Sequence, residues 1–159
     1  MEKAVILKTV YKKLLNEEFN YFNFEDRLKL QKTVYLLENM GVSVGGYGFN
    51  WYKHGPYSQA LQDDAYDSVN YHSREDIQFK ENAKPIIENF REMVAEKPED
   101  CELEEWLELL SSIYFLANMS EYNSKEIILE KIKEEKPHLK NERINEKAYE
   151  VLQEKTDLF

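Results

Sequence analysis

The sequence predicts a mainly α fold: one compact domain over residues 1–159, with about seven helices and a small two-stranded β element. Three observations predict it. A chain of 159 residues suits a single core. Hydrophobic residues make up 42% and aromatics 13%, too much for a disordered chain, while 5 Gly and 4 Pro are too few for a loop-rich all-β fold. The 33% charged content suits amphipathic helices whose apolar residues recur every three or four positions.

Residues 3–17 read as the first helix, with Val5, Ile6, Val10, Tyr11, Leu14 and Leu15 on one stripe. Asn23 is an N-cap with Asp26 three residues on, and the second helix runs to about Asn39, stopping near Gly41. Residues 47–53 alternate and are aromatic, which predicts a short strand that Gly55 ends. Pro56 then fits the first turn of a third helix over 57–69. Ile77 and Phe79 alternate with polar residues and are candidates to pair with the first strand. A fourth helix covers 81–96, with Pro85 in its first turn. The fifth, 103–118, is apolar almost all round and is expected to be central. Ser124 caps a sixth helix that stops before Pro137, and Asn141 or Glu142 starts a seventh to about Lys155. Neither repeats nor low-complexity segments are visible.

The second helix carries polar groups inside its apolar arc. At 100° per residue, Phe24, Leu28 and Tyr35 fall on one flank, and Leu30, Val34 and Leu37 on the other. Arg27, Gln31 and Glu38 land between them, while Lys29, Thr33 and Asn39 fall outside. A buried Arg or Glu is costly unless paired, so Arg27 is expected to meet a carboxylate. The line is either a polar seam that fixes packing or a recognition site. Along the strand, Tyr47, Phe49 and Trp51 share the face expected to pack on helices. Asn50, Tyr52 and His54 share the other, and could bind a peptide, a base or a small polar ligand, or could order the turn. His54, Lys53 and Ser58 lie at the expected start of the third helix, where free N–H groups favour anions, but no glycine-rich phosphate motif accompanies them.

Other clusters carry less chemistry. Asp63, Asp64, Asp67 and His72 lack metal-ligand spacing and read as a solvated acidic face. The run Glu99–Glu108 reads as a charged loop and helix start. Cys101 is the only cysteine, so no intrachain disulfide forms, and neighbouring carboxylates disfavour its thiolate. No catalytic triad or Cys/His arrangement is visible, and no metal or other cofactor is expected. No apolar run approaches a membrane span and no signal-peptide pattern opens the chain, so a cytoplasmic protein without a membrane partner is expected.

Arg27–Glu38 together with Phe49–Ser58 resembles the YwgA-like proteins, a prokaryotic family with no established reaction. Those proteins carry a similar Leu-Gln-Lys…Tyr-Leu-Leu helix and a Trp-Tyr-x-His/Tyr-Gly-Pro-Tyr-Ser segment. Trp106–Ile113, Lys136-Pro-His-Leu139 and the final helix resemble the rest of that family, so the likeness spans nearly the whole chain. The same helix and Gly-Pro turn resemble, more distantly and only to about residue 60, the Panacea or SocA-like antitoxin domain. That resemblance implies pairing with a toxin or action as a proteolytic adaptor. Gln31, Lys32, Tyr35, Gly55 and Pro56 are the positions it carries over.

The leading functional expectation is a non-catalytic protein-interaction module, antitoxin-like or regulatory. Its partner surface would comprise Arg27, Gln31, Lys32, Tyr35, Glu38, Trp51, Tyr52, His54, Gly55, Pro56 and Tyr57. The alternative is a nucleic-acid or nucleotide-binding protein using Arg27, Lys29, Lys32, Lys53 and His54; an enzyme is the third reading. Residues 1–60 carry 8 Lys/Arg against 6 Asp/Glu, and residues 61–159 carry 13 against 25, within a net charge of −10. A helix-turn-helix in the last two helices is disfavoured by Glu142, Glu146, Glu150 and Glu154, a carboxylate strip that a DNA groove would repel. Binding to duplex DNA is therefore expected to be weak and strongly salt-dependent in a gel-shift series. Tight, sequence-dependent binding that survives physiological salt would favour the nucleic-acid reading.

Overall fold

Apolar periodicity sets the helices and local caps set their ends. The structure is a computed structural model that describes residues 2–159. Its elements are α1 (Lys3–Leu15), α2 (Phe24–Met40), β1 (Asn50–Tyr52), β2 (Gly55–Tyr57), α3 (Gln59–Asp67), α4 (Lys84–Ala95), α5 (Leu103–Ala117), α6 (Lys125–Glu135) and α7 (Glu142–Lys155). Short 3-10 turns at Ser68–Asn70 and Glu81–Ala83 follow α3 and precede α4. The side chains of Asn23, Ser58, Ser124 and Asn141 each accept a backbone N–H in the first turn of their helices. Gly41 ends α2 at φ 113°, a conformation that a Cβ would resist.

Helix α5 is central. Trp106, Leu107, Leu110 and Ile113 are fully buried, and α5 packs against α2, α4, α6, α7 and β2. Trp106 also donates its indole N–H to the Met93 carbonyl at 2.9 Å, which ties α5 to α4 without an unsatisfied donor. Helices α1 and α3 form a second layer on the other side of α2.

Several expected boundaries move. Helix α1 ends at Leu15 because Asn16 turns into the left-handed region (φ 60°) and donates its N–H to the Lys12 carbonyl. That frees Glu17 to accept from the Tyr11 hydroxyl at 2.6 Å and from Lys29 at 2.5 Å. Pro56 is not in a helix: Gly55–Tyr57 forms β2, antiparallel to β1 with Trp51 opposite Pro56, and α3 starts after its cap Ser58. A proline is tolerated because a two-stranded sheet has free edges that need no donor. Ile77 and Phe79 do not join the sheet. They line a cavity of about 350 Å³ with Ile6, Val10, Val42 and Val44.

The helical phase also misplaces residues on α2. Lys29 and Thr33, expected outside the arc, are buried, as is Lys32, because α3, the hairpin and α5 cover α2 on more than one side; Phe24, expected on the apolar flank, is exposed at the start of the helix. The expected faces hold within β1, where Trp51 is half-buried and stacks at 5.5 Å on Phe115 while Asn50 and Tyr52 face outward, but the strand ends at Tyr52, and His54 turns its Nδ1 inward toward Glu108 instead of continuing the outward face. Trp106→Ala is expected to cost about 3–5 kcal/mol in urea denaturation, through cavity formation and an orphaned carbonyl. Trp51→Ala should cost clearly less, since its ring is only partly withdrawn from water.

Candidate functional site

Residues of α2, the hairpin, α5 and the α6–α7 connection converge on one side of the molecule. Gln31 on α2 is buried, and its amide serves both backbone groups of one residue. It accepts the Ser58 N–H at 2.8 Å and donates to the Ser58 carbonyl at 2.9 Å. The neighbouring Lys32 donates to the Pro56 carbonyl at 2.7 Å. The Gln-Lys pair thus holds β2 and the start of α3 against α2, satisfying backbone groups that a two-stranded sheet leaves free. Gly55 lets the hairpin approach α5. Its φ is 92°, and a Cβ there would lie 2.5 Å from the Ser112 hydroxyl oxygen.

The centre of the polar cluster is Glu108, buried on the face of α5 toward the hairpin. The His138 Nε2 lies 2.8 Å from one carboxylate oxygen, and Lys136 Nζ 3.5 Å from the same oxygen. The His54 Nδ1 lies 3.5 Å from the other oxygen; it is buried and has no hydrogen-bond partner. Lys136 is itself buried. It donates to the Lys53 carbonyl at 2.6 Å and the Tyr52 carbonyl at 3.3 Å, and its ammonium stands 4.5 Å from the centre of the Trp51 ring. Burial pushes the Lys136 ammonium down against the opposing pull of Glu108. Burial likewise pushes Lys32 down to about 7, with Glu108 favouring its charge and Lys136 opposing it. Burial also lowers His54, while Glu108 partly restores it.

A cavity of about 350 Å³ opens beside this cluster, lined by Phe24, Arg27, Gln31, Lys32, Tyr52, His54, Gly55 and Tyr57 among others. Its rim is aromatic. Phe24 meets His54 edge-on at 5.6 Å and Tyr52 meets Tyr57 at 5.2 Å. The Arg27 guanidinium lies over Tyr21 and Phe24. Tyr21 in turn meets Tyr66 at 5.3 Å and Phe22 at 5.7 Å. Phe22 is 74% exposed and Tyr52 54%. Singly exposed apolar side chains are ordinary, but aromatics grouped around a concave site mark a candidate contact surface.

The structure therefore gathers most of the expected residues, with changes of role. Arg27, Gln31, Lys32, Tyr52, His54, Gly55 and Tyr57 line one cavity. Arg27 does not pair with a carboxylate; it donates to the Tyr21 carbonyl at 2.6 Å. Glu38 lies a few turns away and accepts the N–H groups of Gly45, Gly46 and Tyr47, so it caps a loop. Tyr35 is buried against Phe49, at 5.2 Å. Pro56 contributes through its carbonyl. Asp63 and Asp64 accept from Gln59 and the Tyr47 hydroxyl. Sequence reasoning missed Glu108, Lys136 and His138. Glu108 is not part of a solvated acidic start: only Glu104 and Glu105 lie in the first turn of α5. The signal was available, since a carboxylate amid Leu107, Leu109 and Leu110 on an all-round apolar helix must be buried.

Comparison of the chain with protein-family models, with curated proteins and with solved structures finds no match. Among the described residues, no helix is long and apolar enough to cross a membrane.

The buried lysine gives a pH signature. Unfolded, Lys32 holds its proton to about pH 10.4; folded, it releases it near pH 7. The unfolded chain therefore binds more protons between those values, and stability rises with pH through that window. The rise is expected to approach about 1 kcal/mol per pH unit between pH 7 and 9. Lys32→Met should flatten it, as read by urea midpoints at several pH values.

Proposed function

We propose that this chain is a non-catalytic protein-interaction module, antitoxin-like or regulatory, and that its partner docks on the aromatic-rimmed cavity between α2 and the hairpin. The observation that carries the reading is the set of aromatics, Phe24, Tyr52 and Tyr57, that lines a concave site together with Arg27. Tyr, Trp and Arg are the residues that dominate binding energy at protein interfaces, because they bury large area at low conformational cost. The site is pre-ordered: Gln31 and Lys32 hold the hairpin, and Gly55 sets its turn, so little entropy is lost when a partner arrives. Arg27 and exposed Lys53 make the rim of the cavity cationic on an otherwise acidic chain. A partner segment with an apolar anchor and an adjacent carboxylate fits that chemistry. The resemblance of Arg27–Glu38 and Phe49–Ser58 to the YwgA-like family and the SocA-like antitoxin domain supports a toxin as the partner class, in a prokaryote or its mobile elements.

The nucleic-acid alternative loses two of its cations. Lys29 pairs with Glu17 and Lys32 is buried against the Pro56 carbonyl, which leaves Arg27 and Lys53 as the basic groups at the rim. A pull-down from native lysate, with and without nuclease, separates the readings. A protein retained after nuclease treatment, and lost with Phe24→Ala or Tyr52→Ala, is the expected result. Both variants should keep the wild-type circular-dichroism signal and melting temperature, because both side chains are exposed. Capture that nuclease abolishes would instead favour single-stranded nucleic acid stacked on the aromatic rim.

A further inference from the structure

The Glu108 cluster offers more than a satisfied carboxylate. One oxygen or nitrogen from each of His54, Glu108 and His138 lies within 4.8 Å of the others, the only such group of three among the described residues. We propose that these residues form a binding site for a divalent transition metal of the zinc class. Two imidazoles and one carboxylate are a donor set that zinc accepts, with a fourth position for water or another ligand. Zinc–ligand bonds of about 2.0–2.2 Å require donors roughly 3–3.5 Å apart. The His54 Nδ1 already stands 3.5 Å from one Glu108 oxygen, whereas the His138 Nε2, hydrogen-bonded to the other oxygen at 2.8 Å, would exchange that hydrogen bond for the metal and move slightly outward.

A second observation points the same way. The His54 Nδ1 is buried without a hydrogen-bond partner, although it faces the carboxylate. Buried polar atoms are normally paired, and a metal bond would satisfy this one. His138 would bind through Nε2 and His54 through Nδ1. The three ligands come from the hairpin turn, α5 and the α6–α7 connection, so an ion would tie together three parts of the chain that are distant in sequence. Lys136 opposes the ion by its charge. Its contacts with the Tyr52 and Lys53 carbonyls and the Trp51 face hold that charge partly away from the carboxylate, leaving Lys136 as an outer partner of Glu108. The half-exposed edges of both histidines leave an approach from solvent, beside the cavity.

The test uses the full chain, stripped with chelator and titrated with Zn²⁺ alone by calorimetry, then with Co²⁺ alone by visible absorption. One metal per chain, a tetrahedral Co²⁺ spectrum and a higher melting temperature with Zn²⁺ are expected. His138→Ala and His54→Ala should each weaken binding by at least about tenfold, the scale for losing a ligand or its support, and abolish the thermal shift. An unaltered affinity in both variants would overturn the proposal, as would absence of binding in the wild type. Loss in a paired Asp63→Asn, Asp67→Asn variant would also overturn it, by placing the ion on α3. Should a histidine variant misfold, carbethoxylation of the wild type decides. Zn²⁺ should protect His54 and His138 while exposed His72 reacts fully; equal reaction of all three would refute the site.

Discussion

The fold is organised around one buried carboxylate. Glu108 sits in the most apolar helix of the chain, and a lone carboxylate there would cost several kcal/mol. It is tolerated because Lys136, His138 and His54 arrive from two other parts of the sequence. Those partners have few places to be. Lys136 can reach Glu108 only if the α6–α7 connection crosses α5 at this level, and it reaches the hairpin only if β1 turns at Lys53–His54. The electrostatic need of a single side chain thereby fixes the relative position of three elements. Hydrophobic packing alone, being non-directional, would constrain them less.

The Gln31–Lys32 pair supplies the complementary constraint from the opposite side. A two-stranded sheet of three residues per strand is too small to be stable alone. Here it is sandwiched between α2 and α5; Lys32 meets the Pro56 carbonyl, Lys136 meets the Tyr52 and Lys53 carbonyls, and Gln31 holds Ser58 just beyond β2. The hairpin is therefore a structure imposed by its neighbours. It can present Tyr52, His54 and Tyr57 in fixed positions without a large sheet to support them.

Much of this was legible in the sequence. The helices were, because their apolar stripes repeat over several turns and their caps are explicit at Asn23, Ser124 and Asn141. The hairpin was misread at Pro56 because a Gly-Pro pair signals a helix start locally. Only the distant contacts of Lys32 and Lys136 make the extended conformation preferable. The phase argument on α2 found Gln31 but placed Lys29 and Thr33 outside and left Lys32 unassigned, since it assumes one buried face and α2 has several. Glu108 and His138 were missed for a different reason. They are 30 residues apart, and proximity across that separation is a property of the fold.

The charge balance of the cluster bears on what the cavity can receive. Two lysines, Lys32 and Lys136, are buried near one carboxylate, Glu108. The interior can be neutral only if one lysine gives up its proton, and the cavity side carries that deficit through Lys32, with Arg27 beside it. A carboxylate brought into the cavity would stabilise the charged form of Lys32 at the site where desolvation now opposes it. A second cation from a partner would instead disfavour that charged form further. The same balance works against an ion at the Glu108 side unless the histidines bind it directly, since a loosely held cation would compete with Lys136 for one oxygen. The cluster thus discriminates by sign on its two faces: it favours anionic groups in the cavity, and it admits a metal only where nitrogen donors add bonds that Coulomb attraction alone would not supply.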